Sequence, residues 1–264
     1  MDKYQKLIDS DNLFESDYNI DSETGDFKMS SEECHAKAEQ DLLDAINRVP
    51  YESTRPQLLG TLLNEAVDCM LLGRPSDEYP GIVTLRDNND TPIIIRCMAE
   101  GQSFNFRVDD VRKLVRELSG AIPQDRQLPK SATIQIAPGE EIELYGYPDY
   151  IYRDRVIDLK TTSRYRYYKY SGYWQRFVYP YIMMASGEIE EVSRFEFLVA
   201  LVTPQKSDEL GEIISLSIGK ECYDVSLEND IARLITMCRQ FSAWCDANSA
   251  KINKNKTHIY PTQK

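Results

Sequence analysis

Histidine is nearly absent from this chain of 264 residues, with only His35 and His258, one near each end. That leaves little material for a His-rich zinc site or a Ser-His-Asp triad. The six cysteines, Cys34, Cys69, Cys97, Cys222, Cys238 and Cys245, form no C-x-x-C pair, and a disulfide framework is not expected. No stretch approaches the roughly 18 consecutive apolar residues of a membrane helix. No apolar segment follows the charged start Met1-Asp2-Lys3-Tyr4-Gln5-Lys6, so no secretory signal is read there. The expected location is cytoplasmic. There is no Walker A loop and no G-x-G-x-x-G, so a glycine-rich phosphate cradle is excluded.

An excess of basic residues is also missing. The net charge is −12, which at first argues against a nucleic-acid partner. Its distribution weakens that objection. Residues 1–45 hold 13 acidic residues and 4 lysines, and the rest of the chain is only −3. The acidic start reads either as a solvated leader or as an arm that masks a basic groove or docks on a partner.

What is present suits one large globular domain. Apolar residues make up 42%, a normal share for a packed core. Residues 1–50 are expected to form an acidic, partly helical extension, 51–250 the main domain, and 251–264 a frayed lysine-rich tail. Helical spacing appears from His35 to Arg48. A second helix should start at Ser53 or Thr54, with Pro56 in its first turn and Leu59, Leu62, Leu63, Ala66 and Met70 as its apolar stripe. Strands are expected at 91–97, 132–137, 141–152, 155–161 and 194–203, with an edge strand at 212–218. Further helices are expected at 108–118, 172–186 and 227–244.

Residues 145–160 hold the candidate chemistry. The two halves are rich in Tyr, Ile and Val, with Arg153-Asp154 where a hairpin would turn. An even-numbered loop centred there places Tyr152 opposite Arg155 and Asp149 opposite Asp158. Directly opposed residues lie roughly 5 Å apart, and Lys160 shares the face of Asp158. Two carboxylates and an ammonium on one patch suit a hard divalent cation and a phosphate. The competing reading is an ordinary hairpin in which Lys160 pairs with the two aspartates.

Directly after it, the segment 164–176 has four cations, Arg164, Arg166, Lys169 and Arg176, no acid, five tyrosines and Trp174. Cations neutralise phosphates and aromatic faces stack on unpaired bases. The competing reading is a tyrosine-rich packing surface. Gln175 and Tyr179 follow one helical turn apart.

In order and spacing, these motifs resemble the PD-(D/E)XK nuclease superfamily over about residues 56–203, in its RecB-like branch. That branch includes CRISPR-associated RecB-like and lambda-exonuclease-like members. The resemblance rests on Gly60 and Asn64, on Gly146 and Asp149 with Asp158-Leu159-Lys160, and on Gln175 and Tyr179. It implies an α/β (α+β) fold with a central mixed sheet flanked by helices, an αβββαβ core and an N-terminal helical extension. It implies that Asp149 and Asp158 bind Mg²⁺ or Mn²⁺, with the Leu159 carbonyl as a third ligand, and that Lys160 is the catalytic lysine. Gln175 and Tyr179 would hold the site or the DNA end.

The sequence departs from the family pattern in two places. Asn64 stands where His or Glu is usual; its amide oxygen can ligate Mg²⁺ but carries no charge, and Glu65 or Asp68 are the substitutes that would compensate. The clustered cysteines that bind an iron–sulfur cluster in some relatives are absent, so no cluster is expected.

The expected activity is a metal-dependent deoxyribonuclease, an exonuclease of recombination or repair. Stand-alone domains of this size resemble those of phages and mobile elements. The expected partners are DNA and a single-strand annealing or other recombination protein, with no membrane. The alternative is a nuclease-fold protein that binds nucleic acid or protein without cleaving.

Overall fold

The structure is a computed structural model that describes residues 31–50, 52–121 and 129–253. Helix α1 (Ser31–Ile46) is followed by α2 (Arg55–Leu72). Strands β1 (Val83–Arg86), β2 (Pro92–Ala99) and β3 (Gln102–Arg107) lead into α3 (Val108–Glu117). Then come β4 (Lys130–Ala137), β5 (Glu140–Gly146), β6 (Tyr150–Ile151) and β7 (Arg155–Thr162). The last elements among the described residues are α4 (Gln175–Ala185), β8 (Arg194–Ser207), β9 (Gly211–Asp224) and α5 (Leu227–Ala247).

Seven strands form one mixed sheet in the order β1-β2-β3-β9-β8-β7-β6. β7 and β8 run parallel across the α4 crossover, while β8 and β9 form a long antiparallel hairpin. The sheet is covered on both faces, which is why β8 reads as a nearly continuous apolar run. Leu198, Ala200 and Val202 pack towards α2 and α3. Phe195, Phe197 and Val199 pack towards α4, α5 and the β4–β5 hairpin. α2 begins where expected, because Thr54 caps it and exchanges bonds with Gln57 in a capping box. A third, smaller cluster joins Leu43 and Ile46 of α1 to Trp244 and Cys245 of α5, with Ile252.

Three expectations are corrected. The strand expected at 141–152 is broken, and β4 and β5 form a separate two-stranded sheet lying on α4 and α5. The αβββαβ order survives along the chain, but only the end of its second strand, β6, joins β7 and β8. The break falls at Tyr147-Pro148-Asp149, where Pro148 cannot donate to a ladder. Second, β9 is an inner strand, bonded to β8 along its length and to β3 at Phe106 and Ile214. Third, the tail is not frayed from its start. Ile252 is buried, and Asn47 bonds to Lys251 and Asn253. The first 30 residues, the bulk of the acidic start, lie outside the described residues, as does the tail beyond Asn253.

Candidate active site

The β6–β7 hairpin has the register that the Arg153-Asp154 turn implied. Tyr152 N–H donates to Arg155 C=O at 2.9 Å, and Tyr150 and Ile151 pair with Ile157 and Val156. The next rung would set Asp149 against Asp158, but the ladder ends at Tyr150. Asp149 instead turns its carboxylate onto the strand, where Oδ2 accepts from Leu159 N–H at 2.8 Å. A side chain thus replaces the missing backbone acceptor. The N–H and C=O of one strand residue point to the same side. The Leu159 carbonyl therefore emerges beside Asp149, past the end of β6.

Alternation along β7 places Ile157 and Leu159 under α2 and turns Asp158 and Lys160 towards α4. Asp158 is almost fully buried. Its Oδ1 accepts from Gln175 Nε2 at 3.0 Å, and Gln175 Nε2 also donates to the Tyr179 hydroxyl at 3.2 Å. Its Oδ2 lies 2.8 Å from Lys160 Nζ, as an ion pair without an aligned hydrogen bond. Burial pushes the Asp158 carboxyl above its ordinary value, and the Lys160 charge pulls it back. Tyr179 is pushed up to about 12, chiefly by burial, with Asp158 and Asp149 adding to the shift. It is a neutral hydroxyl at any physiological pH. Lys160 Nζ also lies 5.7 and 5.6 Å from the ring centroids of Tyr173 and Phe197, which wall it on the α4 side.

On the other side, α2 approaches β7 closely. A Cβ at Gly60 would sit 3.6 Å from Thr161 Cβ. One turn later Asn64 lines a cleft of about 270 Å³ with Thr61, Glu65, Glu78, Tyr79, Tyr147 and Asp149. Its Oδ1 is buried without a hydrogen-bond partner. An orphaned carbonyl oxygen beside a carboxylate is an acceptor-rich spot that a hard cation would satisfy. Glu65 shares this cleft, so it is placed to add charge. Asp68 is not: it is buried and accepts from the Tyr150 hydroxyl at 2.8 Å, which corrects its candidacy as a substitute ligand. Among the described residues, no three His, Cys, Asp or Glu side chains group closely enough to hold a metal by themselves. Of the expected ligands, this cleft brings together Asn64 and Asp149, while Asp158 lies on the α4 side of β7.

The cationic segment divides in two. Arg164 and Arg166 are exposed. Lys169 turns inward, with Nζ 3.0 Å from both Thr162 Oγ1 and the Arg164 carbonyl. Arg176 donates to Ser171 C=O at 3.0 Å and stacks on Phe177 and Tyr223. Burial lowers its pKa below the ordinary guanidinium value. Lys169 and Arg176 therefore organise the segment, which corrects the expectation of four outward-facing cations: only Arg164 and Arg166 are exposed. Glu78, Tyr79 and Tyr147 were not anticipated. Tyr147 was findable, two residues before Asp149 in a linker that must pass the site; Glu78 and Tyr79 sit in a loop with no motif of their own.

No family model and no curated protein matches the chain. Among solved structures it is similar to the crystal structure of a "Putative exonuclease" from Eubacterium rectale. The two are 13% identical with a TM-score of 0.40, over 84% of this chain and 81% of that one. Among the described residues, no helix is long and apolar enough to cross a membrane.

Proposed function

We propose that this chain is a metal-dependent deoxyribonuclease of the PD-(D/E)XK type, acting as an exonuclease on DNA ends in recombination or repair. The observation that supports it best is the convergence of groups from three segments on one end of β7. Asp149 is tied to the Leu159 amide, Gln175 of α4 holds Asp158, and Lys160 lies against Asp158. An ordinary surface hairpin has no need to bury Asp158 or to hold it from a separate helix.

Asp149, Asp158, Asn64 Oδ1 and the Leu159 carbonyl would hold Mg²⁺ or Mn²⁺. When bound, the ion would polarise the phosphate and lower the pKa of the attacking water. Lys160 would orient that water and offset charge on the phosphate oxygens. Gln175 keeps Asp158 in one rotamer, and Tyr179 in turn fixes Gln175. Tyr173 and Phe197 keep bulk water from the Lys160 stem.

The test is incubation of end-labelled linear and closed circular DNA with the protein, with and without Mg²⁺. Metal-dependent loss of the linear DNA alone is the expected result. Stable linear DNA at every metal concentration would leave the second reading, a nuclease-fold protein that binds without cleaving. The observation favouring that reading is the neutral Asn64 where a charged ligand would strengthen the site.

Asn64 also gives a quantitative expectation. Asn64→Glu should tighten Mg²⁺ binding, because a hard cation prefers an anionic oxygen. Asn64→His should shift preference towards Mn²⁺. Calorimetric titration reads both; equal affinities in wild type and the two variants would place Asn64 outside the site and point to Glu65.

A second expectation concerns capture of DNA. The double substitution Arg164→Ala/Arg166→Ala should reduce the slope of log affinity against log salt by about 1.4–1.8, for two phosphate contacts. Arg176→Ala should leave the slope unchanged and lower thermal stability, since its contacts are internal. A slope equally altered in both would put Arg176 back on the DNA path.

A further inference from the structure

Among the described residues, the exposed aromatic side chains are four tyrosines, Tyr145, Tyr147, Tyr167 and Tyr168. All fall in the stretch that brackets the D-x-K strand. The second pair belongs to a loop anchored just after it, at Lys169 and Tyr170. Lys169 ties it to Thr162 at the end of β7, and Tyr170 N–H donates to the buried Glu221 carboxylate of β9. The strand register fixes where it lies. Lys160 pairs with Val199 and Val199 with Gly219, so the three form one row across the sheet. The Tyr165 ring lies over Gly219, 3.3 Å from where a Cβ would be. Two strand spacings, about 10 Å, separate that point from Lys160.

Leading into these anchors, residues 166–169 form a turn closed by Lys169 N–H donating to Arg166 C=O at 3.1 Å. Tyr168 is the third residue of the turn, with φ at +63°, where glycine or asparagine is normally favoured. A bulky ring is thus held there against backbone preference. Its ring rests on Tyr223 at 6.2 Å between centroids, and the Tyr167 ring rests on Tyr168 at 4.2 Å. The rings thus run from the core out to Tyr167, which is 68% exposed. Arg164 and Arg166 are exposed in the same loop, and no acidic residue occurs from 163 to 187.

We propose that Tyr167 and Tyr168 form a stacking platform for unpaired bases of a single-stranded DNA end, with Arg164 and Arg166 on its phosphates. Its choice of DNA rests on the nuclease reading above. Aromatic faces accept any base, and adjacent cations follow the backbone, so the platform would be tolerant of sequence and selective for unpaired strands. It would hold a frayed end on the Lys160 face of the sheet, within reach of the candidate site.

The test uses the full chain in EDTA, so that cleavage plays no part. Affinity is measured for a dye-labelled oligothymidylate and for an abasic strand of equal length. Wild type should bind the thymidylate about 10-fold more tightly than the abasic strand. Tyr167→Ala should lose about 10-fold for the thymidylate and nothing for the abasic strand, while Tyr167→Phe keeps wild-type affinity. Tyr167 is solvent-exposed, so an unchanged melting temperature is expected. Tyr168→Asn relieves the turn and should also weaken thymidylate binding while raising stability. Equal affinity for the two strands in wild type, or an undiminished preference in Tyr167→Ala, overturns the platform. A wild-type chain that degrades duplex ends with Mg²⁺ yet ignores bases sinks the platform and spares the nuclease reading. Base-dependent binding without cleavage upholds the platform and sinks the nuclease reading alone.

Discussion

Lys160→Ala should lower Mg²⁺-dependent degradation of linear DNA by at least about 10²–10³, the usual cost of removing one preorganised charge-stabilising group. The same loss is expected of Asp158→Asn and Asp149→Asn, for different reasons at each position. Asn at 149 keeps a carbonyl oxygen for the Leu159 amide, so the end of β7 stays ordered while the charge goes. Asn at 158 can still accept from Gln175, so the β7–α4 link survives. Lys160 projects from the sheet with its side chain one-fifth exposed, so its truncation leaves the backbone pairing of β7 with β8 in place. All three variants should therefore show wild-type circular dichroism. Asp154→Asn in the exposed hairpin turn is the control, and its rate should match wild type. If Lys160→Ala degrades DNA as fast as wild type, the lysine is only the ion-pair partner of Asp158 and the catalytic assignment is wrong.

Local chemistry was legible in the sequence; the placing of strands against each other was less so. The α2 start could be read because Thr54, Pro56 and Gln57 act within a single turn. The β6–β7 register could be read because a two-residue turn fixes pairing for the residues beside it. β9 was mistaken for an edge because its side chains alternate between buried and exposed, as on a one-sided strand. Whether a strand is inner depends on its backbone neighbours, and β3 joins it from more than 100 residues away. The β4–β5 hairpin leaves the sheet for a similar reason: its apolar residues Ile134, Ile136 and Leu144 find α4 and α5 rather than a neighbouring strand. A charge count located the cationic segment but not the direction of each side chain. Arg176 is drawn inward by Phe177 and Tyr223, one beside it and one on a strand 47 residues later.

The hydrogen bonds at the site depend on a glycine that touches none of the candidate catalytic groups. A Cβ built on Gly146 would lie 2.4 Å from Tyr179 Cε1 and 3.0 Å from Cδ1. The φ angle of Gly146 is not in the left-handed region, so what the position needs is space rather than backbone freedom. The Tyr179 ring fills that space, and its hydroxyl takes the hydrogen bond of Gln175, whose amide also holds Asp158. Gly146→Ala should cost about 1–3 kcal/mol of stability, the range for overpacking a tight contact. It should also lower activity, because a displaced ring carries its hydroxyl away from Gln175. Tyr179→Ala alone should cost about 3–5 kcal/mol through the void it leaves, by analogy with other buried aromatic truncations. Together the two changes should cost less than their sum, by about 0.5–3 kcal/mol, since the added methyl then occupies part of the void. Tyr179→Phe separates packing from polarity: it keeps the ring, should be nearly as stable as wild type, and should lose activity through Gln175. Chemical denaturation of the four variants beside the DNA assay reads all of this. Strictly additive stabilities would mean that Gly146 and Tyr179 do not press on each other. Full activity in Tyr179→Phe would mean that Gln175 holds Asp158 without help.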